Sequence, residues 1–329
     1  MTPAWHAING KAFEYACIAG LERVITAKSK DLKCNVIKDG PYDTALQCFN
    51  KLSSEHKSKL SNVGIVLGEN LIKMEPRLVY AVAQFNSNID LSIQPDQRGQ
   101  RGDVRDILVV RIKSSNDTSW EIGISCKHNH RAVKHPRVSP HIDIGTEWLK
   151  AESDEIYWSE INKVFDKVSA YQAQGLKRWA EIPDKDINIY RPAMEAIRGF
   201  LYRIYQEKGF TICRNLLHYL IGRNDFYKAI ITLDKGILDL QAYNFNRTLN
   251  KPAGGNRPTQ RIETVKLPAT LHSIDFKSES NSTINIVLNE GWQISMRVHS
   301  ATTNIEKSLK LDVQLVGVPQ NLFRQNLTL

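Results

Sequence analysis

Two short apolar stretches constrain this chain more than any other feature. They are Asp106-Ile107-Leu108-Val109-Val110-Arg111-Ile112 and Trp120-Glu121-Ile122-Gly123-Ile124-Ser125-Cys126-Lys127, with Asn116-Asp117 in a polar turn between them. The β-branched content of the first and the period-two alternation of the second predict two antiparallel strands. With the turn centred between Asn116 and Asp117, pairing sets Asp106 opposite Lys127 and Leu108 opposite Ser125, about 5 Å apart at Cα. The strand middles are too apolar to face water, and the polar run His128-Asn129-His130-Arg131 follows at once. An acid and a lysine are therefore expected at the same end of two buried strands. Glu121 shares the face of Lys127 but lies six residues back, about 20 Å at 3.3 Å per residue, which excludes it from the same centre. Asp103 would pair beyond the lysine and ranks behind Asp106 unless the turn shifts.

A carboxylate and an ammonium so placed can flank one phosphate and one metal ion. Mg2+ prefers oxygen ligands and keeps several waters, so one aspartate plus a substrate phosphate can hold it. Such an ion lowers the pKa of a bound water and offsets charge on a pentacovalent transition state. The compact charge of lysine can orient the attacking water or help to deprotonate it. The competing reading is a structural ion pair with no chemistry.

The rest of the chain reads as helices, then strands, then helices, then strands. Residues 10–25 carry Phe13, Cys17, Leu21 and Val24 on one helical stripe. Further helices are predicted over Thr44–Leu52 and Glu75–Phe85, the latter with Pro76 in its first turn. Asp90–Ile93 reads as a short strand and Pro95–Gly102 as a loop. Helical texture returns over Asp154–Gly175, Pro192–Gly209 and Cys213–Leu220. Strands are predicted over Ala229–Leu233, Ile237–Tyr243, Ile284–Leu288, Trp292–Val298 and Leu309–Val316, with a flexible basic loop over Asn250–Pro258. This order gives an α+β or mixed α/β protein. Residues 1–225 form the expected core with the hairpin and its helices, and 226–329 a β-rich C-terminal region that can belong to the same domain.

The five cysteines (Cys17, Cys34, Cys48, Cys126, Cys213) are scattered and never form Cys-x-x-Cys, which argues against a disulfide framework or a structural zinc site. No apolar run approaches the roughly 20 residues that span a bilayer, and the N-terminus lacks a secretory pattern, so a cytoplasmic location is expected. The 44 Lys and Arg against 35 Asp and Glu give a net charge of +9, which suits a polyanionic partner.

An aspartate opening one strand, followed by a strand ending in a lysine, resembles the PD-(D/E)XK nuclease fold. The longer run Trp120–His130, then Val133-Lys134-His135-Pro136-Arg137-Val138-Ser139, resembles type II restriction endonucleases of the HaeIII kind. Gly291–His299 and Ser308–Val313 resemble the same group, so the likeness touches both halves of the chain. It implies a central sheet flanked by helices, Mg2+ as cofactor and double-stranded DNA as substrate. It also implies cleavage of both strands at the palindrome GGCC to blunt ends, and a cognate DNA methyltransferase that need not bind this chain. Glu14 is similar to the first-helix glutamate many such nucleases use as a metal ligand. One position departs from the pattern: the acid expected two residues before the lysine is Ser125. Some Ser-x-Lys enzymes take the missing carboxylate from the following helix, where Asp143 and Glu147 are equal candidates for catalysis and metal binding, with Glu14 a third. Both acids have an alternative role at the entry to that helix.

His128, Asn129, His130, Lys134, His135 and Arg137 are the expected DNA-channel residues, since lysine, arginine and asparagine contact phosphates and asparagine or arginine can also read base edges. Three consecutive residues such as His128-Asn129-His130 cannot surround one metal. Lys251, Arg257, Arg261 and Lys266 form a basic segment that could close on DNA and gain affinity through counterion release. A two-fold dimer matches a palindromic site, and a monomer that cuts each strand in turn is the other arrangement. The alternatives in function are a repair or recombination nuclease with little sequence preference, and a non-catalytic DNA-binding protein.

Overall fold

A 26-residue helix, α1 (Pro3–Lys28), opens the chain and organises the first of two compact units. The computed structural model describes residues 3–29, 31–97, 102–112, 119–129 and 132–329. The first unit comprises Met1–His130, Arg223–Val265 and Asn321–Leu329, and the second Arg131–Gly222 and Lys266–Gln320, so each draws on both sides of residue 225.

In the first unit α1 is followed by β1 (Lys33–Val36), α2 (Gly40–Asn50) and α3 (Ser54–Met74). The side chains of Asp39 and Ser53 cap α2 and α3 by accepting the amides of Tyr42 and His56. Strands β2 (Asn88–Ile93), β3 (Ile107–Ile112) and β4 (Ser119–His128) come next. After the second unit's first segment come β7 (Phe226–Thr232), β8 (Ile237–Tyr243) and, near the C-terminus, β13 (Phe323–Thr328). They form one mixed sheet in the order β1-β2-β3-β4-β7-β8-β13. β1 and β2, and β4 and β7, run parallel, and the other neighbours antiparallel. Ile122, Ile124 and Cys126 of β4 turn into a core shared with Phe13, Cys17 and Leu21 of α1 and Leu60, Val63 and Leu67 of α3.

The second unit has a sheet of its own, in the order β5 (Ala132–Lys134), β12 (Leu309–Gly317), β11 (Gln293–His299), β10 (Thr283–Leu288), β9 (Leu271–Phe276), with β6 (Arg137–Val138) also on β12. Its helices are α4 (Glu155–Ala173), α5 (Arg191–Lys208) and α6 (Phe210–Ile221). Gly209 (φ 61°) ends α5 and Gly222 (φ 84°) ends α6 in backbone conformations that favour glycine. The mixed α and β fold class is borne out. No helix among the described residues is long and apolar enough to cross a membrane.

The structure corrects three sequence expectations. The helix expected over Glu75–Phe85 is only a single turn at Pro76–Leu78. Its carbonyls are satisfied elsewhere: the buried Arg111 guanidinium donates to Arg77 O, Tyr80 O and Asn86 O at 2.9–3.0 Å, which replaces helical bonding. The true helix, α3, precedes it. There Gly64 and Gly68 interrupt the apolar stripe, because α1 and α3 cross at Gly20 and Gly64. A Cβ on Gly20 would overlap the Gly64 backbone, and one on Gly64 the Ala16 carbonyl. Third, the hairpin register is two residues shorter than the turn position suggested. Leu108 faces Gly123, not Ser125, and the Asp106 amide donates to Ile124 O at 2.8 Å. A shift of two preserves the faces, so Asp106 meets Ser125 and is one alternation from Lys127. β1, β9 and β13 were also not expected, being short or more polar strands.

The glycine crossing predicts that Gly64→Ala loses about 2–3 kcal/mol through overpacking against backbone that cannot yield. Urea denaturation with an unchanged midpoint would contradict the close approach.

Candidate active site

Asp106 immediately precedes β3, and one of its oxygens is held by three donors from β4. Oδ2 accepts from the Cys126 amide at 2.6 Å, Ser125 Oγ at 3.2 Å and Lys127 Nζ at 3.3 Å. Two of these donors are side chains on one face of the strand and the third is the amide between them, so the clamp follows from strand geometry. Ser125 is 2 % exposed. The residue in the place of a second acid thus acts as a donor that fixes the first. Oδ1 of Asp106 takes no hydrogen bond from any described residue, which leaves it as the free lone-pair donor of the cluster.

Glu14 comes from α1. Phe13 and Cys17 anchor the helix in the core, and Cys17 meets Cys126 there; their hydrogen bond, together with burial, pushes the Cys126 thiol well up. One turn before Cys17, Glu14 is buried, and its Oε2 accepts Lys11 Nζ at 3.0 Å. Lys11 also bonds Asp96 Oδ1 at 2.6 Å. Burial first, and the charge of Asp106 second, push the Glu14 carboxyl up to about 8 against the pull of Lys11 and Lys127. Lys127 is shifted the other way from a usual buried amine: burial lowers it, but Asp106 and neighbouring anions, Glu14 among them, more than offset this and raise it. It therefore carries its charge at neutral pH.

Two carboxylates, Glu14 crowded by the charge of Asp106 and Asp106 with an open oxygen, fit a hard divalent cation that completes its shell with water and phosphate oxygens. Among the described residues no group of three or more His, Cys, Asp or Glu forms a full cage, so a cation here would depend on those outside ligands.

The other acids have their own partners or belong to the second unit. Glu121 and Asp103 are both taken by Arg105, at 2.7 and 2.8 Å, and the arginine passes over Gly123, where a Cβ would strike it. Asp143 and Glu147 belong to the second unit. Asp143 accepts bonds from Gly145 N, Thr146 N and Oγ1, and Ser153 N and Oγ. Burial alone would raise it, yet the Ser153 and Thr146 bonds leave it below the usual carboxylate range. Glu147 is exposed, in the helical turn Gly145–Leu149.

Of the residues expected on DNA, His128, Asn129, Lys251, Arg257 and Arg261 are in the first unit, and Lys134, His135 and Arg137 in the second. His130 lies outside the described residues. The first-unit set is the less engaged: Asn129, Arg257 and Arg261 are exposed. Burial lowers His128. In the second unit Lys134 lies 3.6 Å from the Tyr219 ring centre and donates to Tyr219 O, with burial lowering it to about 8. His135 pairs with Asp312 at 3.7 Å, and Arg137 bonds Ser308 at 2.6 Å. Sequence reasoning missed Lys11 and Arg105. Lys11 was findable, because a lysine three residues before a helical glutamate shares its face.

In EDTA the Glu14 shift has a definite sign. The unfolded chain releases this proton near 4.5 and the folded chain near 8, so the folded state binds more protons between them and stability falls as pH rises through that window. Glu14→Gln should flatten the fall. Equal pH dependence of the urea midpoint in both proteins would contradict the buried, charge-crowded carboxyl.

Residues 10–319 match the family model described as HaeIII restriction endonuclease. The chain is also similar to the type II restriction enzyme HaeIII of Haemophilus aegyptius, with 36% identity over 315 residues, 95% of each chain.

Proposed function

The chain belongs to the HaeIII restriction endonuclease family, and from that premise we propose that it is a Mg2+-dependent enzyme that cuts both strands of duplex DNA at GGCC, in the middle, to leave blunt ends. Family membership makes it a type II site-specific deoxyribonuclease; the metal, the sequence and the double cut are inferred. The observation that carries the chemistry is the clamped Asp106, with Oδ2 fixed by Ser125, Cys126 N and Lys127 and Oδ1 open.

In this reading Asp106 and Glu14 hold the cation. When bound, Mg2+ supplies Lewis-acid polarisation of the scissile phosphate and a more acidic water. Ser125 keeps Asp106 in one rotamer. Lys127, protonated, donates to the attacking water or to a phosphate oxygen and offsets the negative charge gained as water adds in line and the bond to the leaving oxygen breaks. Glu14 is favoured over Asp143 and Glu147 as the second carboxylate because Asp106 already shifts it, whereas Asp143 is committed to its own turn. His128, Asn129, Lys251, Arg257 and Arg261, joined from the second unit by Lys134, His135 and Arg137, are the proposed DNA contacts. A homodimer would match the two-fold symmetry of the palindrome. The enzyme would act in the cytoplasm, with a cognate methyltransferase protecting host sites without binding it.

Phage DNA incubated with the protein and Mg2+ should give discrete fragments ending at each GGCC, and none in EDTA. A smear would favour a repair nuclease of the same fold, and a gel shift with no cleavage would sink both. Lys127→Ala should lower the cleavage rate at least about 10²-fold, the scale of a lost proton donor or charge in phosphoryl chemistry, while DNA binding persists. Cleavage by this variant at the normal rate would overturn the assignment of Lys127.

A further inference from the structure

At the end of β4 opposite Lys127 the first unit holds a cavity of about 380 Å³. β4 and β7 run parallel, with Gly123 beside Phe226, so the cavity forms where their N-terminal ends meet. Trp120, in its wall, is seven residues from Lys127, about 23 Å at 3.3 Å per residue. Arg105, the chain neighbour of Asp106, also reaches into the wall, while the Trp120 end lies away from the Asp106 cluster.

Its charges are unevenly matched. Arg105 is bound by both Asp103 and Glu121, which leaves it over-compensated by one negative charge. Asp225 spends its carboxylate on the loop after β8, accepting from the amides of Phe245, Asn246 and Thr248, from Asn246 Nδ2 and from Thr248 Oγ1. Arg77, Arg247 and Lys251 also line the cavity; the buried Glu75 carboxyl pulls on Arg77, while Arg247 and Lys251 make no ion pair among the described residues. Arg77 is held beside two rings: its guanidinium carbon lies 5.4 Å from the Phe85 ring centre and 5.9 Å from that of Trp120, and Nε donates to Pro252 O. Arg247 is at the apex of the Asp225-bound loop, exposed, with φ 60°. Side-chain-bearing residues rarely adopt that conformation, and here the loop's bonds to Asp225 on either side of Arg247 impose it.

Arg77, Arg247 and Lys251, one set on aromatic rings and one on a braced loop, bring three cations to one wall, and two of them, Arg247 and Lys251, make no ion pair among the described residues; this suits phosphate, which arginine recognises through its planar fork of donors. We propose that this cavity binds a backbone phosphate of the DNA duplex, remote from the scissile bond, with Arg247, Lys251 and Arg77 as its ligands. The inference rests on the nuclease reading above and adds a second anchor for the same substrate. The shared chemistry is phosphate, and a free phosphate compound is the other source the site could take.

The test is Arg247→Gly, which removes the guanidinium while suiting the positive φ, so that folding is not put at risk. Affinity for a fluorescent duplex containing GGCC is measured by anisotropy in EDTA across a salt series. Each neutralised phosphate contributes a slope of about −0.9 in log K against log salt, so the variant should show a slope shallower by about 0.9 and roughly eightfold weaker binding near 0.1 M salt. Lys28→Ala, an equal charge loss at an exposed position at the end of α1, should keep the wild-type slope. A wild-type slope in Arg247→Gly overturns the cavity site and leaves the nuclease reading standing, whereas no duplex binding by the wild-type chain overturns both. Melting with inorganic pyrophosphate separates the sources. Stabilisation of wild type that Arg247→Gly loses, with no change in the duplex slope, would assign the site to a free anion and overturn the DNA proposal.

Discussion

Everything at the candidate centre depends on how β4 grips one oxygen of Asp106. A carboxylate at the mouth of a strand could rotate freely. Here the Cys126 amide, at 2.6 Å, fixes Oδ2 from the backbone, and Ser125 and Lys127 close on the same atom from either side. A charged acceptor bound by a backbone amide, a hydroxyl and an ammonium is held more firmly than neutral pairs can hold it. The consequence is directional: with Oδ2 saturated, Oδ1 is the oxygen left for a cation.

The second carboxylate is delivered by a different mechanism. α1 approaches the sheet through Phe13 and Cys17, and its close crossing with α3 at Gly20 and Gly64 sets its depth. That depth buries Glu14, so that removal from water and the charge of Asp106 both oppose its ionisation. Packing far from the chemistry thus sets an electrostatic property within it. Lys11, bridging Glu14 and Asp96, balances part of the charge.

The hairpin was legible because its alternation is strict and its middles apolar, and a two-residue error in register cost nothing in face. α3 was not legible, since the glycines that permit its contact with α1 remove the apolar side chains by which a helix is recognised. The segment after it reads as helix by propensity, yet Arg111 takes its carbonyls, a long-range contact no local pattern records. The charged positions divided in the same way. Asp106, Lys127 and Glu14 fall together in one unit, but Ser125 looked like a gap in a motif and is a donor to the acid it was expected to accompany. Arg247 carried no local signal, because its backbone conformation comes from Asp225, 22 positions earlier.

The central claim is that Asp106, clamped by β4, is the anchor of a divalent cation. Binding of Mn2+ to the protein with duplex DNA, followed by electron paramagnetic resonance, tests it directly. The wild-type chain should immobilise the ion, and Asp106→Asn, which keeps the shape and loses the charge, should leave it free in solution. Equal Mn2+ binding by the two proteins would contradict the account.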